Sequence, residues 1–125
     1  MGETTEEELF EGFYLQSEAL KKGGVDAICV ETKTDIQEAV IAVRAAKLAT
    51  NLEVACTFTF DKIPSGEFRT MMGVSPEEMV AAMKGEGADI IGTNCGNGFG
   101  NMTDIVKEIR SVERDIPILV HANAG

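Results

Sequence analysis

Gly24-Val-Asp-Ala-Ile-Cys-Val-Glu-Thr32 and Gly87-Ala-Asp-Ile-Ile-Gly-Thr-Asn-Cys95 align at an offset of 63 residues, and the fold turns on them. Each leaves a Gly-x-Asp turn, runs through a few apolar residues and ends on polar ones. Working outward gives four such runs: Asp26–Thr32, Glu53–Phe60, Asp89–Cys95 and Pro117–Ala122. Short runs rich in Ile, Val, Phe and Thr, apolar on both parities, read as strands buried on both faces of a parallel sheet. The offset fits two βα units of about 30 residues each.

Helix signals fill the gaps. Thr5 with Glu8, Thr34 with Gln37 and Ser75 with Glu78 read as capping boxes, the last with Pro76 at the first helical position. Ile36, Ala39, Val40, Val43 and Ala46 share one face of a helix. Gly23-Gly24 and the Gly85 to Gly87 stretch stop the first and third helices. The order is α-β-α-β-α-β-α-β. Right-handed crossovers then give one parallel sheet with helices on its outer face. The fold class is α/β, with parallel βα units forming about half of a (β/α)8 TIM barrel. Such barrels take about 250 residues. The chain has 125, opens on a helix and stops after a strand, so it reads as part of a larger barrel. A free half barrel would present two unpaired sheet edges, and self-association is the expected consequence.

Composition narrows the function classes. Eleven basic against 21 acidic side chains give a net charge of −10, which disfavours nucleic-acid backbones and anionic membrane surfaces as partners. No apolar run approaches the roughly 18 residues of a membrane span. The acidic start, Met1-Gly-Glu-Thr-Thr-Glu-Glu-Glu8, is unlike a secretory signal. Cys29, Cys56 and Cys95 are odd in number and match no zinc-knuckle spacing, so reduced thiols in a cytoplasmic protein are expected.

In (β/α)8 barrels chemistry sits at the C-terminal ends of the strands. Here those ends are Glu31-Thr32, Thr59-Phe60-Asp61, Asn94-Cys95-Gly96 and His121-Ala122-Asn123. Cys95 stands between Asn94 and a glycine-rich loop, a place for a thiolate nucleophile or metal ligand. Cys29 and Cys56, inside strands, read as small buried hydrophobes. Gly96-Asn-Gly-Phe-Gly100 matches neither G-x-G-x-x-G nor a Walker loop. It leaves a plain βα loop or an anion pocket for a substrate carboxylate. Glu31 is either a solvated strand end or a carboxylate for a substrate ammonium. His121, the single histidine, reads as a hydrogen-bonded strand-end residue.

Taken in order, Gly24–Thr32, Thr57–Asp61, Ser75–Glu78, Gly92–Gly96 and Ala122–Gly125 resemble the homocysteine S-methyltransferase family, most closely the homocysteine-binding module of cobalamin-dependent methionine synthases. The resemblance spans nearly the whole chain. It implies a (β/α)8 barrel of which residues 1–125 supply strands four to seven, without the first three strands and the last. It implies a zinc-dependent methyltransferase that converts homocysteine to methionine, with methylcobalamin as donor on a corrinoid-carrying module. Cys95 matches the first of three cysteine ligands to zinc, and Glu31 the acidic residue that holds the homocysteine ammonium. Asn94, beside Cys95, is expected to contact substrate. The remaining two ligands belong to a Gly-Gly-Cys-Cys segment absent from this sequence, so the 125 residues alone are expected to be inactive. Two rivals stand beside this reading: another (β/α)8 enzyme, an aldolase or pterin-binding methyltransferase, and a non-catalytic half-barrel module for binding or assembly. The absence of lysine from the four strand ends argues against a Schiff-base aldolase.

Overall fold

A computed structural model describes residues 3–124. The elements are α1 (Glu6–Lys22), β1 (Ala27–Lys33), α2 (Ile36–Thr50), β2 (Glu53–Phe58), β3 (Asp61–Lys62), β4 (Phe68–Arg69), α3 (Pro76–Gly85), β5 (Ile90–Asn94), α4 (Phe99–Val112) and β6 (Ile118–His121). Local chemistry sets most of these boundaries. Thr5–Glu8 and Ser75–Glu78 form both halves of their capping boxes, and Pro76 opens α3. At α2 the cap moves by one residue: Asp35, not Thr34, accepts the Glu38 N–H at 2.9 Å. The Thr34 carbonyl is engaged elsewhere, accepting from the Thr70 hydroxyl at 2.7 Å.

The four long strands form one sheet in the order β1-β2-β5-β6, every neighbouring pair parallel. With one helix in each crossover this is the βα architecture expected of a partial barrel. Val30, Cys56, Ile91 and Ile118 are register partners across the sheet, so they share a face. That face packs on the helices through Ala39, Val43 and Ala46 of α2, Met79 and Met83 of α3, and Ile105 and Ile109 of α4. Ile36 and Val40 complete the apolar stripe of α2, partly buried.

Burial on both faces holds for the central β2 and β5 but not for the outer strands. Along β1 only Ile28 and Val30 are buried, while Ala27, Cys29 and Glu31 on the other face are exposed. No β6 residue is fully buried. The cause is position: each outer strand has a neighbour on one side only. A second difference is the β3–β4 antiparallel hairpin, with Asp61 opposite Arg69 and Lys62 opposite Phe68. It ends β2 at Phe58, short of the expected Phe60, and is anchored by Phe68, which is 2% exposed.

At the N-terminal ends of the strands the Gly-x-Asp turn has a structural use. Asp89 accepts the Val54 N–H at 2.9 Å and the Lys47 ammonium at 2.6 Å, tying β2, β5 and α2 together. Among the described residues, no helix is long and apolar enough to cross a membrane.

Candidate functional site

The four polar strand ends do meet at one edge. The Lys33 carbonyl accepts the Thr59 N–H at 2.9 Å, joining the ends of β1 and β2. The Thr59 hydroxyl donates to the Asn94 carbonyl at 2.9 Å, and the Asn97 amide donates to the Phe60 carbonyl, joining β2 to β5. The Cys95 N–H donates to the His121 carbonyl at 3.1 Å, and the Asn123 N–H to the Asn97 carbonyl at 2.9 Å, joining β5 to β6.

Asn94 lies at the centre, 2% exposed. Its Oδ1 accepts the Thr32 N–H at 3.1 Å and the Thr57 hydroxyl at 2.9 Å. Its Nδ2 donates to the Thr32 hydroxyl at 2.7 Å and to Cys95 Sγ at 3.3 Å. A carboxamide has two donor hydrogens and two acceptor lone pairs, so all its capacity is engaged within the chain. Both residues it grips have left-handed backbones, Thr32 at φ 62° and Cys95 at φ 57°. Such conformations cost on the order of 1–3 kcal/mol each and persist where the surroundings over-determine them. For β-branched Thr32 this is a genuine outlier, and it falls where the β1–β2 register shifts, between Val30 and Lys33.

Cys95 presents an exposed thiol at this edge. The loop after it hugs β2: a Cβ on Gly96, at φ 73°, would lie 3.2 Å from Thr59 Cγ2 and 3.3 Å from the Phe60 carbonyl oxygen. Glycine is therefore required there by conformation and by space. Glu31, one residue before the left-handed turn, is exposed on the open face of the sheet. His121 is exposed and pairs in register with Asn94, so its ring projects on the same face.

The other two cysteines divide. Cys56 is buried on the helix-facing side, away from this edge, and desolvation pushes its thiol up to about 12, which keeps it protonated. Cys29 departs from the buried reading: it is exposed on the open face, its thiol raised by partial burial and then by the Glu31 carboxylate. A lysine does stand at a strand end, since β1 runs on to Lys33. Its ammonium is held by Glu38 at 2.7 Å and over the Phe13 ring at 5.1 Å, with the side chain 16% exposed. That leaves it poorly placed for a Schiff base. Among the described residues, no group of three or more His, Cys, Asp or Glu side chains is placed to hold a metal ion. Thr32 belongs to a polar strand end marked in the sequence, but its bond to Asn94, like that of Thr57, has no local signal beyond polar residues that interrupt otherwise apolar strands.

The sequence matches the family model for homocysteine S-methyltransferases over residues 1–125. The chain belongs to the homocysteine S-methyltransferase family. In structure it is similar to the homocysteine methyltransferase MmuM from Escherichia coli. The apo form superposes with a TM-score of 0.82 at 20% identity, over 99% of this chain and 45% of MmuM. The metallated form gives 0.76 at 21% identity, over 93% of this chain and 40% of MmuM. The chain thus spans under half the length of those solved relatives, and the likeness is one of fold. A search of curated proteins found no match.

Proposed function

We propose that residues 1–125 form the part of a homocysteine S-methyltransferase barrel, strands four to seven, that carries the substrate edge of a zinc-dependent, methionine synthase-like site. The observation that supports this reading is the single Asn94 side chain binding both the turn after Glu31 and the Cys95 sulfur. The strand end that carries Glu31 and the thiol of Cys95 are thereby held at one edge, the arrangement a site for a substrate amine and a thiol-binding metal needs.

In this reading Glu31 faces the homocysteine ammonium, and Cys95 is one protein ligand of the metal. Zinc, when bound, supplies deprotonation of a coordinated thiol near neutral pH. The chain's own donors do not fit a complete zinc site: Cys95 offers one sulfur, and no three-donor group exists among the described residues. A catalytic zinc takes three protein ligands before it offers a position to substrate. The remaining ligands must come from outside the described residues, and the 125 residues alone bind zinc weakly and turn over no homocysteine. The part played by this chain is binding and orientation, within a cytoplasmic protein. Methylcobalamin on a corrinoid-carrying module would supply the methyl group.

The missing three-donor group also favours a second reading, a non-catalytic half-barrel that binds amino acids. Methyl transfer from methylcobalamin to homocysteine, assayed on the complete barrel, separates the two. In the first reading methionine forms and Cys95→Ser abolishes it, whereas Glu31→Gln raises KM and largely keeps kcat. Homocysteine binding without product supports the second reading. Turnover indifferent to both substitutions overturns the assignment of the edge.

A further inference from the structure

We infer that Asn94 is a positioning residue: it holds the Glu31 strand end and the Cys95 thiol in one fixed relation by clamping Thr32 and Cys95 in left-handed backbone conformations. The functional meaning of the clamp rests on the proposed homocysteine site; the clamp itself rests on geometry alone. Four hydrogen bonds of 2.7–3.3 Å converge on a side chain that is 2% exposed. Two of them close a ring with Thr32, through its N–H and its hydroxyl, 62 residues away in sequence. Of the described non-glycine residues at positive φ, Thr32 is the least suited to it, because it alone is β-branched and both branches of its Cβ crowd the backbone. Without Asn94 nothing local favours that turn, and β1 would relax toward regular extension. Since successive strand residues alternate faces, undoing the register shift between Val30 and Lys33 would re-aim the polar end of the strand. The same carboxamide donates to Cys95 Sγ, so a movement at one strand end is felt at the other.

The reading predicts that the two ends respond together. Backbone carbon chemical shifts, which distinguish left-handed from extended residues, would be measured on the labelled chain without metal or homocysteine. The outcome therefore stands whether or not methyl transfer is the right function. Asn94→Ala should move the shifts of Thr32 and Cys95 out of the left-handed range while those of Val54 and Ile91, inside β2 and β5, hold. A second variant covers the possibility of general destabilisation. Glycine adopts positive φ without penalty, so Thr32→Gly should raise the thermal midpoint of Asn94→Ala while leaving or lowering that of the unaltered chain. Thr32 remaining left-handed in Asn94→Ala would overturn the inference. So would a Thr32→Gly midpoint shift of the same sign and size in both backgrounds, because Asn94 would then be only a packed polar residue.

Discussion

At the scale of single residues, the site pairs one exposed carboxylate with one exposed thiol, and each carries its own expected loss. With Glu31 facing the homocysteine ammonium, as proposed, replacing it by Gln would remove a charge-assisted contact worth about 1.5–3 kcal/mol. The KM for homocysteine should therefore rise roughly ten- to hundredfold with kcat little changed, which steady-state kinetics on the complete barrel will show. The three thiols should also differ in native alkylation. Cys95 and Cys29 are exposed, whereas Cys56 is buried with its thiol held near 12. Iodoacetamide followed by peptide mapping should label the first two in the folded chain and Cys56 only after unfolding. Labelling of Cys56 at a comparable rate would mean that β2 is not packed as described. The placement of Glu31 and Cys95 at one edge was legible because the apolar runs of β1 and β5 both close there on polar residues. The clamp between them was not: positive φ at a threonine leaves no local trace, and the partners are 62 residues apart.

At the scale of elements, the caps and strands follow local rules where no distant contact competes. Ser75→Ala should lower stability by about 1 kcal/mol through the lost α3 cap, measurable by urea unfolding. The same loss should appear for Asp35→Ala and not through the capping hydroxyl of Thr34. Asp-x-x-Glu and Thr-x-x-Gln lie one residue apart there; the cap falls on Asp35, the stronger N-cap type, while the Thr34 carbonyl is held by the Thr70 hydroxyl. The β3–β4 hairpin escaped the sequence for the same reason: two-residue strands have no periodicity, and Phe68 holds them by burial. Gly92 is a stricter case. A Cβ there would stand 1.8 Å from the Leu119 carbonyl oxygen, so β5 and β6 approach too closely for any side chain. Gly92→Ala should cost at least the upper end of the about 1–3 kcal/mol typical of overpacking, seen as a fall in the urea midpoint.

At the scale of the whole molecule, acid stability and assembly follow from groups remote from the site. Glu113 is 4% exposed and accepts from Lys84 at 2.9 Å and from the backbone of Asp115 and Ile116. Those bonds, the Lys84 contact first, hold its carboxyl down to about 2. A depressed folded value means its contribution is complete above the unfolded carboxylate range near 4.3 and is lost as pH falls toward 2. Glu113→Gln should therefore flatten the acid limb of stability against pH in that window, as read by thermal melts. Two sheet edges are open, with cavities of about 260 Å³ beside β1 and about 250 Å³ beside β6, and Phe99 at the second is 81% exposed. The isolated chain should self-associate through them, and more strongly as salt screens the net charge of −10. Sedimentation at two ionic strengths checks this; a monomer throughout would mean the edges are protected. The central claim, that Cys95 and Glu31 share one edge but differ in task, is tested most directly by zinc content per complete barrel. Cys95→Ser should lose the metal and Glu31→Gln should retain it. Full zinc occupancy in Cys95→Ser would contradict the account.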